Sequence, residues 1–188
     1  MKIAVFVDFH GTIGGEGTED VRALTLYPFA AEAIGRLNAQ DLLVIGITNQ
    51  SRIARGEFSL EEFDLALRDI RQELAQSGAH FDAVYCCPHG REDFCSCKKP
   101  LRGMVDSACA EFDIDCSRSY VIGDMGMNDM VLAKNIGAKG ILVLTGVGQG
   151  SLSTYRHTWQ DCDAYHVASD IAEAVDVILA DVKACSFV

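Results

Sequence analysis

The N-terminal apolar run from Ile3 to Val7 restricts the fold of this chain more than any other feature. A strand that is apolar at every position is buried on both faces, which is typical of a parallel sheet covered by helices. The run ends at Asp8, and a Gly11-Thr12 turn follows. Open α/β sheets bind ligands in a crevice at the carboxyl ends of their strands. The sequence therefore predicts a crevice carboxylate at Asp8, with a merely solvated strand end as the competing interpretation.

Apolar strands and amphipathic helices alternate along the rest of the chain. The patterns predict further strands at residues 42–47, 81–86, 120–122, 140–144 and 164–167. They predict helices at 29–38, 59–78, 102–112, 130–136 and 169–179, with a polar loop over 148–163. A capping box from Ser59 to Glu62 predicts the start of the helix at 59–78. This alternation predicts an α/β fold, a Rossmann-like three-layer α/β/α sandwich with a mainly parallel sheet.

Length and charge limit the domain count and the partners. A chain of 188 residues fits one domain spanning 1–188, with disorder expected only at the extreme C-terminus. The net charge of −11, without a basic run, argues against nucleic acid or an anionic membrane as partner. The N-terminus does not resemble a signal peptide, and no apolar stretch approaches the roughly 20 residues that span a bilayer. We therefore expect a soluble, cytoplasmic monomer, with weak self-association left open.

The eight cysteines are distributed unevenly, and this distribution indicates a metal site. Cys87, His89, Cys95 and Cys97 crowd into one short loop, which we call the cysteine loop (residues 86–99). Three thiolates and an imidazole form a standard tetrahedral set for structural Zn²⁺. Cys86 is an alternative to Cys87 as a ligand, and reduced cysteines beside a chance histidine are the competing interpretation. The remaining cysteines are expected to be ordinary reduced thiols: Cys109, Cys116, Cys162 and Cys185.

Polar residues follow several of the predicted strands, where they can converge on one crevice. Asp8 with Asp124 and Asp129 would form an oxygen-rich pocket suited to Mg²⁺. Asp8 could also act as the nucleophile that forms an aspartyl-phosphate. Thr48 and the Lys99 ammonium could then hold the phosphoryl oxygens. Each residue also has an ordinary structural interpretation, as a helix cap, a strand end or a solvated charge.

The order of these motifs resembles the four motifs of the haloacid dehalogenase (HAD) superfamily of phosphatases. The matching segments are Asp8-Phe-His-Gly-Thr12, Thr48-Asn-Gln-Ser51, Lys99-Pro100, and Gly123-Asp124 with Asp129. The resemblance spans nearly the whole chain. The segment 48–56, with Cys87-Pro-His89 and Cys95-Ser-Cys-Lys-Lys-Pro100, is similar to the zinc-containing branch of heptose bisphosphate and histidinol-phosphate phosphatases.

This resemblance implies a HAD-like sheet without a large cap domain, and magnesium-dependent hydrolysis of a small phosphate monoester. The backbone carbonyl of His10 would join Asp8 and Asp124 as Mg²⁺ ligands, with Asp129 beside them. The substrate would be a small phosphorylated molecule such as a sugar phosphate, of the heptose 1,7-bisphosphate type, with histidinol phosphate as the alternative. Residues expected to contact the substrate are Asn49, Gln50, Ser51, Arg52 and Lys98.

His10 departs from the family pattern, in which a second aspartate acts as general acid and base. General acid–base help contributes about 10² to 10⁴ in rate, so its loss would leave a slow enzyme. Histidine can itself carry protons, since its unperturbed pKa is about 6.5. Two interpretations remain: His10 is the proton carrier, or the chain is a weakened HAD domain that binds phosphate for regulation.

Overall fold

The computed structural model describes residues 1–16 and 19–185. Within these residues one parallel sheet has six strands: β1 (Ala4–Val7), β2 (Leu43–Asn49), β3 (Ala83–Cys87), β4 (Tyr120–Gly123), β5 (Lys139–Val143) and β6 (His166–Ala168). Their order across the sheet is β3-β2-β1-β4-β5-β6. This is the order of a doubly wound α/β sheet, in which the chain changes direction between β1 and β4.

Seven α-helices are described in the same residues. They are α1 (Ala30–Asn38), α2 (Ser51–Ala54), α3 (Leu60–Gln76), α4 (Gly103–Phe112), α5 (Asp129–Ile136), α6 (Gly148–Leu152) and α7 (Ile171–Cys185). Short 3-10 turns lie at Val21–Ala23, Cys116–Arg118 and Arg156–Trp159. None of these helices is long and apolar enough to cross a membrane.

The sheet is buried on both faces, as the apolar run in β1 predicts. Val5 and Val7 point into a hydrophobic cluster that includes residues of α1, α3 and α7. Ala4 and Phe6 point into a second cluster, which includes residues of α4 and α5. Alternate residues of a strand face opposite sides of a sheet, so each face of β1 needs its own helical cover. The predicted three-layer α/β/α architecture is confirmed.

Helix α3 begins with the predicted capping box. The Ser59 hydroxyl accepts a hydrogen bond from the Glu62 amide at 3.2 Å, and the Glu62 carboxylate accepts one from the Ser59 amide at 2.8 Å. Two amide groups that the first helical turn leaves without partners are therefore satisfied. The buried face of the helix carries Phe63, Leu67 and Ile70, as the helical spacing predicts.

The prediction of a polar loop over 148–163 is wrong in part. This segment contains α6 and the 3-10 turn Arg156–Trp159, and the Trp159 side chain is buried. The segment is short and rich in glycine and serine, so it has no apolar periodicity that could reveal a helix. Contacts with the rest of the fold stabilise it instead.

The expected C-terminal disorder concerns residues 186–188, which lie outside the described residues.

Replacing the cap of α3 tests the role of local sequence in this fold. We expect Ser59→Ala to lower the free energy of unfolding by about 1 kcal/mol, because the Glu62 amide loses its acceptor. Chemical denaturation monitored by circular dichroism measures this change. Ser77→Ala, at the exposed opposite end of the helix, is the matched control. It should change the free energy of unfolding by less than about 0.5 kcal/mol. Equal effects of both substitutions would contradict the capping role.

Candidate active site

The candidate active site lies where the sheet changes direction. Asp8 follows β1, Asp124 follows β4, and these two strands are neighbours. Asp129 is the first residue of α5. Carboxylate oxygens of the three residues all lie within 4.8 Å of one another. The structure therefore brings the three carboxylates together in one crevice, as the sequence predicts.

The Lys99 side chain joins two of these carboxylates. Its Nζ lies 2.8 Å from Asp8 Oδ1 and 2.8 Å from Asp129 Oδ1, and the lysine is 3% exposed. Burial lowers the pKa of Lys99, but the charges of Asp129 and Asp8 outweigh this effect and raise it above the ordinary value. Lys99 is therefore a permanent positive charge inside the crevice.

One ammonium does not balance three carboxylates. Burial raises the pKa of Asp124, and the nearby charges of Asp8 and Asp129 raise it further. Burial also raises the pKa of Asp129, although the Lys99 ammonium opposes this shift. Clustered carboxylate oxygens with unbalanced negative charge are a donor set that a hard divalent cation fits, and Mg²⁺ prefers such ligands.

Two glycines allow the Asp124 carboxylate to approach the chain closely. A Cβ atom at Gly11 would lie 2.0 Å from Asp124 Oδ2, and one at Gly146 would lie 2.3 Å away. Both glycines have positive φ angles, +72° and +56°, which side chains disfavour. The Val147 amide donates to Asp124 Oδ2 at 2.8 Å. The turn after β5 therefore holds the Asp124 carboxylate in place, through the Val147 amide and the close approach of Gly146.

The segment that the sequence assigned to a loop supports the turn after β4. The Gly126 amide donates to Ser151 Oγ at 2.7 Å, and Trp159 Nε1 donates to the Ser151 carbonyl at 2.9 Å. A Cβ atom at Gly126 would lie 2.2 Å from the Trp159 ring. In the same turn, the Met125 amide donates to Asp129 Oδ2 at 3.1 Å. Sequence reasoning missed Ser151 and Trp159, because nothing in the sequence pairs them with residues 124–129.

The residues after β2 arrange the other side of the crevice. Gln50 Nε2 donates to Thr48 Oγ1 at 2.9 Å, and both side chains are buried. The Asn49 side chain accepts from the Lys99 amide at 3.0 Å and donates to the Lys99 carbonyl at 3.2 Å. Both amide side chains were predicted to contact substrate, and that role stays a prediction. Their contacts within the chain position the Thr48 hydroxyl and the Lys99 backbone.

His10 lines the crevice together with Asp8, Thr48 and Asp124. Its Nε2 atom is buried and has no hydrogen-bond partner in the described part of the chain. Burial lowers the pKa of His10, an effect that the Asp8 carboxylate opposes. A buried imidazole nitrogen of this kind is available to a bound ligand or water. The side chain also lines a second recess, beside Glu19 and Gln50.

A wider groove of about 970 Å³ adjoins the crevice. Residues shared with the crevice include Asn49, Lys99, Met125 and Asn128. The remaining charged residues that line the groove are Arg55, Arg91, Glu92, Asp93 and Lys98. Among the predicted substrate contacts, Ser51 and Lys98 line this groove. Arg52 lines the second recess and forms a salt bridge with Glu57 at 2.6 Å.

The cysteine loop brings together the four predicted metal ligands. The ligand atoms of Cys87, His89, Cys95 and Cys97 all lie within 4.8 Å of one another. Cys87 Sγ is 3.2 Å from Cys97 Sγ and 3.7 Å from Cys95 Sγ. Burial raises the pKa of the Cys87 thiol. Three sulfurs and an imidazole nitrogen at these separations fit a tetrahedral Zn²⁺ site, which would hold the thiols as thiolates.

The cysteine loop is connected directly to the groove. Lys98 Nζ donates to the His89 carbonyl at 3.1 Å and to the Ser51 hydroxyl. Cys86 belongs to the other face of the sheet, where it packs against the cluster that contains Val5. Its neighbour Cys87 faces the cluster that contains Phe6. Strand alternation thus separates the two cysteines, and Cys87 is the one that joins the ligand set.

Comparisons with known proteins agree with this geometry. A family model described as HAD-hyrolase-like matches residues 96–174. The D-glycero-D-manno-heptose-1,7-bisphosphate 7-phosphatase of Thermosynechococcus vestitus is 36% identical over 190 residues, covering 93% of this chain and 94% of that protein. The D-glycero-beta-D-manno-heptose-1,7-bisphosphate 7-phosphatase of Bordetella bronchiseptica is 36% identical over 126 residues, covering 67% of this chain and 70% of that protein.

A solved structure is also similar over nearly the whole chain. It is the crystal structure of the D,D-heptose 1,7-bisphosphate phosphatase from B. bronchiseptica complexed with magnesium and phosphate. The two structures share a TM-score of 0.86 at 30% sequence identity, covering 96% of this chain and 99% of that one.

The family model and the relatives show that this chain is a phosphoric monoester hydrolase of the HAD type. The three carboxylates and the buried lysine, where the sheet changes direction, agree with that class. Within that class, the chain belongs to the family that contains the D-glycero-D-manno-heptose-1,7-bisphosphate 7-phosphatases. The predicted resemblance to the HAD superfamily is confirmed.

The two adjacent cysteines offer a matched test of the metal site in the cysteine loop. We expect purified wild-type protein and Cys86→Ser to contain about one Zn²⁺ per chain, and Cys87→Ser to contain much less. Elemental analysis by mass spectrometry measures the metal content. Removing Zn²⁺ with a chelator should lower the melting temperature of wild type, because metal binding contributes to folding. Equal zinc contents in the two variants, or unchanged melting after complete removal, would contradict a structural zinc site.

The hydrogen bond from Gly126 to Ser151 provides a test of the support behind residues 124–129. We expect Ser151→Ala to weaken divalent-cation binding several-fold, because a buried amide without an acceptor costs about 1–3 kcal/mol and the turn shifts to relieve it. Calorimetric titration with Mg²⁺ measures the affinity. Ser153→Ala, at the exposed end of α6, is the control. If both variants bind Mg²⁺ as tightly as wild type, Ser151 does not position the turn.

Proposed function

We propose that this protein hydrolyses a small sugar phosphate, of the heptose 1,7-bisphosphate type, through an aspartyl-phosphate formed on Asp8 with Mg²⁺ bound. The single observation that carries the proposal is the buried contact of Lys99 Nζ with both Asp8 and Asp129, 2.8 Å from each carboxylate. It places a fixed positive charge beside a partly exposed carboxylate, at the edge of the sheet where ligands bind.

Asp8 is suited to nucleophilic attack on phosphorus. Lys99 holds its Oδ1 atom, which fixes the orientation of the carboxylate. In the first step an Asp8 oxygen would bond to phosphorus while the ester oxygen leaves. In the second step water would attack the same phosphorus, and the Asp8 carboxylate would be released. The Thr48 hydroxyl and the Lys99 ammonium would hold the charged phosphoryl oxygens in both steps.

The residues around Asp8 also fit the cation that such chemistry uses. The carboxylates of Asp8 and Asp124 and the backbone carbonyl of His10 would hold Mg²⁺, with Asp129 beside them. Bound Mg²⁺ would neutralise phosphate charge and orient the phosphoryl group. The Val147 amide and the turn after β5 keep the Asp124 carboxylate in place.

His10 is the candidate for proton transfer. His10 lines the same crevice as Asp8, and its buried Nε2 atom has no partner among the described residues. A protonated imidazole would donate its proton to the leaving ester oxygen, and the neutral imidazole would then accept a proton from the attacking water. The proposal therefore gives His10 the role that a second aspartate has in the family pattern.

The groove supports a substrate with a second charged group. Arg55, Arg91 and Lys98 line it, and cations in this position suit a second phosphate. The relatives reported above are named as heptose bisphosphate phosphatases. The acidic residues Glu92 and Asp93 line the same groove and would suit a cationic substrate. This observation makes histidinol phosphate the second candidate.

Phosphate release in the presence of Mg²⁺ tests the proposal. The panel contains heptose 1,7-bisphosphate, histidinol phosphate and simple sugar phosphates, with wild type, Asp8→Asn and His10→Asp measured side by side. We expect wild type to hydrolyse the bisphosphate best and Asp8→Asn to release no phosphate, because it lacks the nucleophile. His10→Asp should be no faster than wild type if His10 carries the proton.

One pattern of activities would contradict the proposed hydrolysis. Inert wild type with activity restored by His10→Asp would identify a phosphate-binding module instead of a working phosphatase. Single-turnover trapping provides an independent readout, because phosphate bound covalently to Asp8 should form and then decay in wild type.

Arg91→Met should raise KM for the bisphosphate and leave KM for monophosphates unchanged, if the groove binds the second phosphate.

A further inference from the structure

Two cysteines outside the cysteine loop lie in contact with each other. Cys109 is in the last turn of α4, and Cys116 begins the 3-10 turn Cys116–Arg118. Their sulfur atoms are 3.2 Å apart. Between them the chain reverses direction at Asp113, which has a left-handed backbone with φ of 54°. The reversal brings together two residues that are seven positions apart, which their spacing in the sequence does not indicate.

The surroundings of the pair disfavour the thiolate form of Cys116 but leave both cysteines partly exposed. Both cysteines are half-buried and pack against the cluster that contains Phe6. Burial and the contact with Cys109 raise the pKa of Cys116 to about 12, and the Arg102 guanidinium opposes this shift. Arg102 is itself paired with Asp106 at 2.9 Å. A disulfide would require the two sulfurs to approach by only about 1 Å.

We propose that Cys109 and Cys116 form a modification site, in which exchange with a low-molecular-weight disulfide produces an internal disulfide bond. One cysteine sulfur attacks a sulfur of the reagent, loses its proton and releases one thiol. The second cysteine sulfur then attacks the mixed disulfide, loses its proton and releases the second thiol. The two cysteines are oxidised together, and the reagent is reduced to two thiols, so atoms and electrons balance.

The other cysteines of the chain are not placed for this reaction. The sulfurs of Cys87, Cys95 and Cys97 belong to the ligand set of the cysteine loop, and a bound metal would occupy them. Cys86 packs on the opposite face of the sheet from the pair, against the cluster that contains Val5. In the part of the chain that the structure describes, neither Cys162 nor Cys185 contacts another cysteine sulfur. The internal disulfide is therefore specific to one pair.

The position of the pair separates it from the crevice. Lys99 precedes the N-terminal end of α4, whereas Cys109 lies near its C-terminal end. We therefore expect the disulfide to leave phosphate release unchanged. A cross-link restricts the unfolded chain, so the oxidised protein should melt at a higher temperature than the reduced protein.

Peptide mass spectrometry tests the proposal on the purified, metal-loaded protein. The probe is glutathione disulfide, followed by alkylation of free thiols and digestion with trypsin. Both cysteines lie on the tryptic peptide 103–118. We expect this peptide to escape alkylation and to be two hydrogen atoms lighter, and a reducing agent should reverse both changes. Zinc content should stay the same through the treatment.

Variants make the outcome decisive. Cys109→Ser and Cys116→Ser should each retain wild-type phosphate release, and neither should show the rise in melting temperature with glutathione disulfide. Cys162→Ser should behave like wild type and show the rise. Stable glutathione adducts on residues 109 or 116 without an internal disulfide would overturn the proposal. The same rise in melting temperature in Cys109→Ser would also overturn it. Both readouts are independent of whether the protein acts on any particular phosphate ester.

Discussion

The contact of Lys99 with Asp8 and Asp129 is the interaction on which the rest of the site depends. Three carboxylates gathered in a buried crevice repel one another, and burial raises the pKa of Asp124 and Asp129 above the ordinary value. The lysine supplies one permanent charge at hydrogen-bond distance from two of them. Its position is fixed by Asn49, whose side chain holds the Lys99 amide and carbonyl. The end of β2 thus determines where the lysine lies relative to the end of β1.

The crevice is supported from two sides by segments that contribute none of its three carboxylates. On one side the cysteine loop, through Lys98, contacts Ser51 and the groove. On the other side Ser151 and Trp159 hold the turn that carries residues 124–129. Catalytic groups work only when their orientation is fixed before substrate binds. In the residues that the structure describes, these two short segments fix the positions of the residues around the crevice.

His10 stands where the family pattern has a second aspartate. The crevice retains Asp8 as the proposed nucleophile, the lysine and both downstream carboxylates, so the proposed binding of phosphate does not depend on this position. The proposed proton transfer does, both to the leaving ester oxygen and from the attacking water. The imidazole is buried, which lowers its pKa, while the Asp8 carboxylate favours its charged form. These opposing effects act on the group proposed to carry protons between ester oxygen and water.

The sequence by itself determined the layer architecture and the family. Fully apolar strands require two covered faces, and a capping box fixes a helix start, so these features are local and readable. Clustered Cys and His ligands, and the acidic residues after β1 and β4, are equally local. Only the tertiary structure decided which residues support the site. Ser151, Trp159 and the Cys109–Cys116 pair act through contacts between segments that no sequence periodicity connects. The same holds for Asn49 and Gln50, whose bonds to Lys99 and Thr48 depend on how the end of β2 meets the cysteine loop.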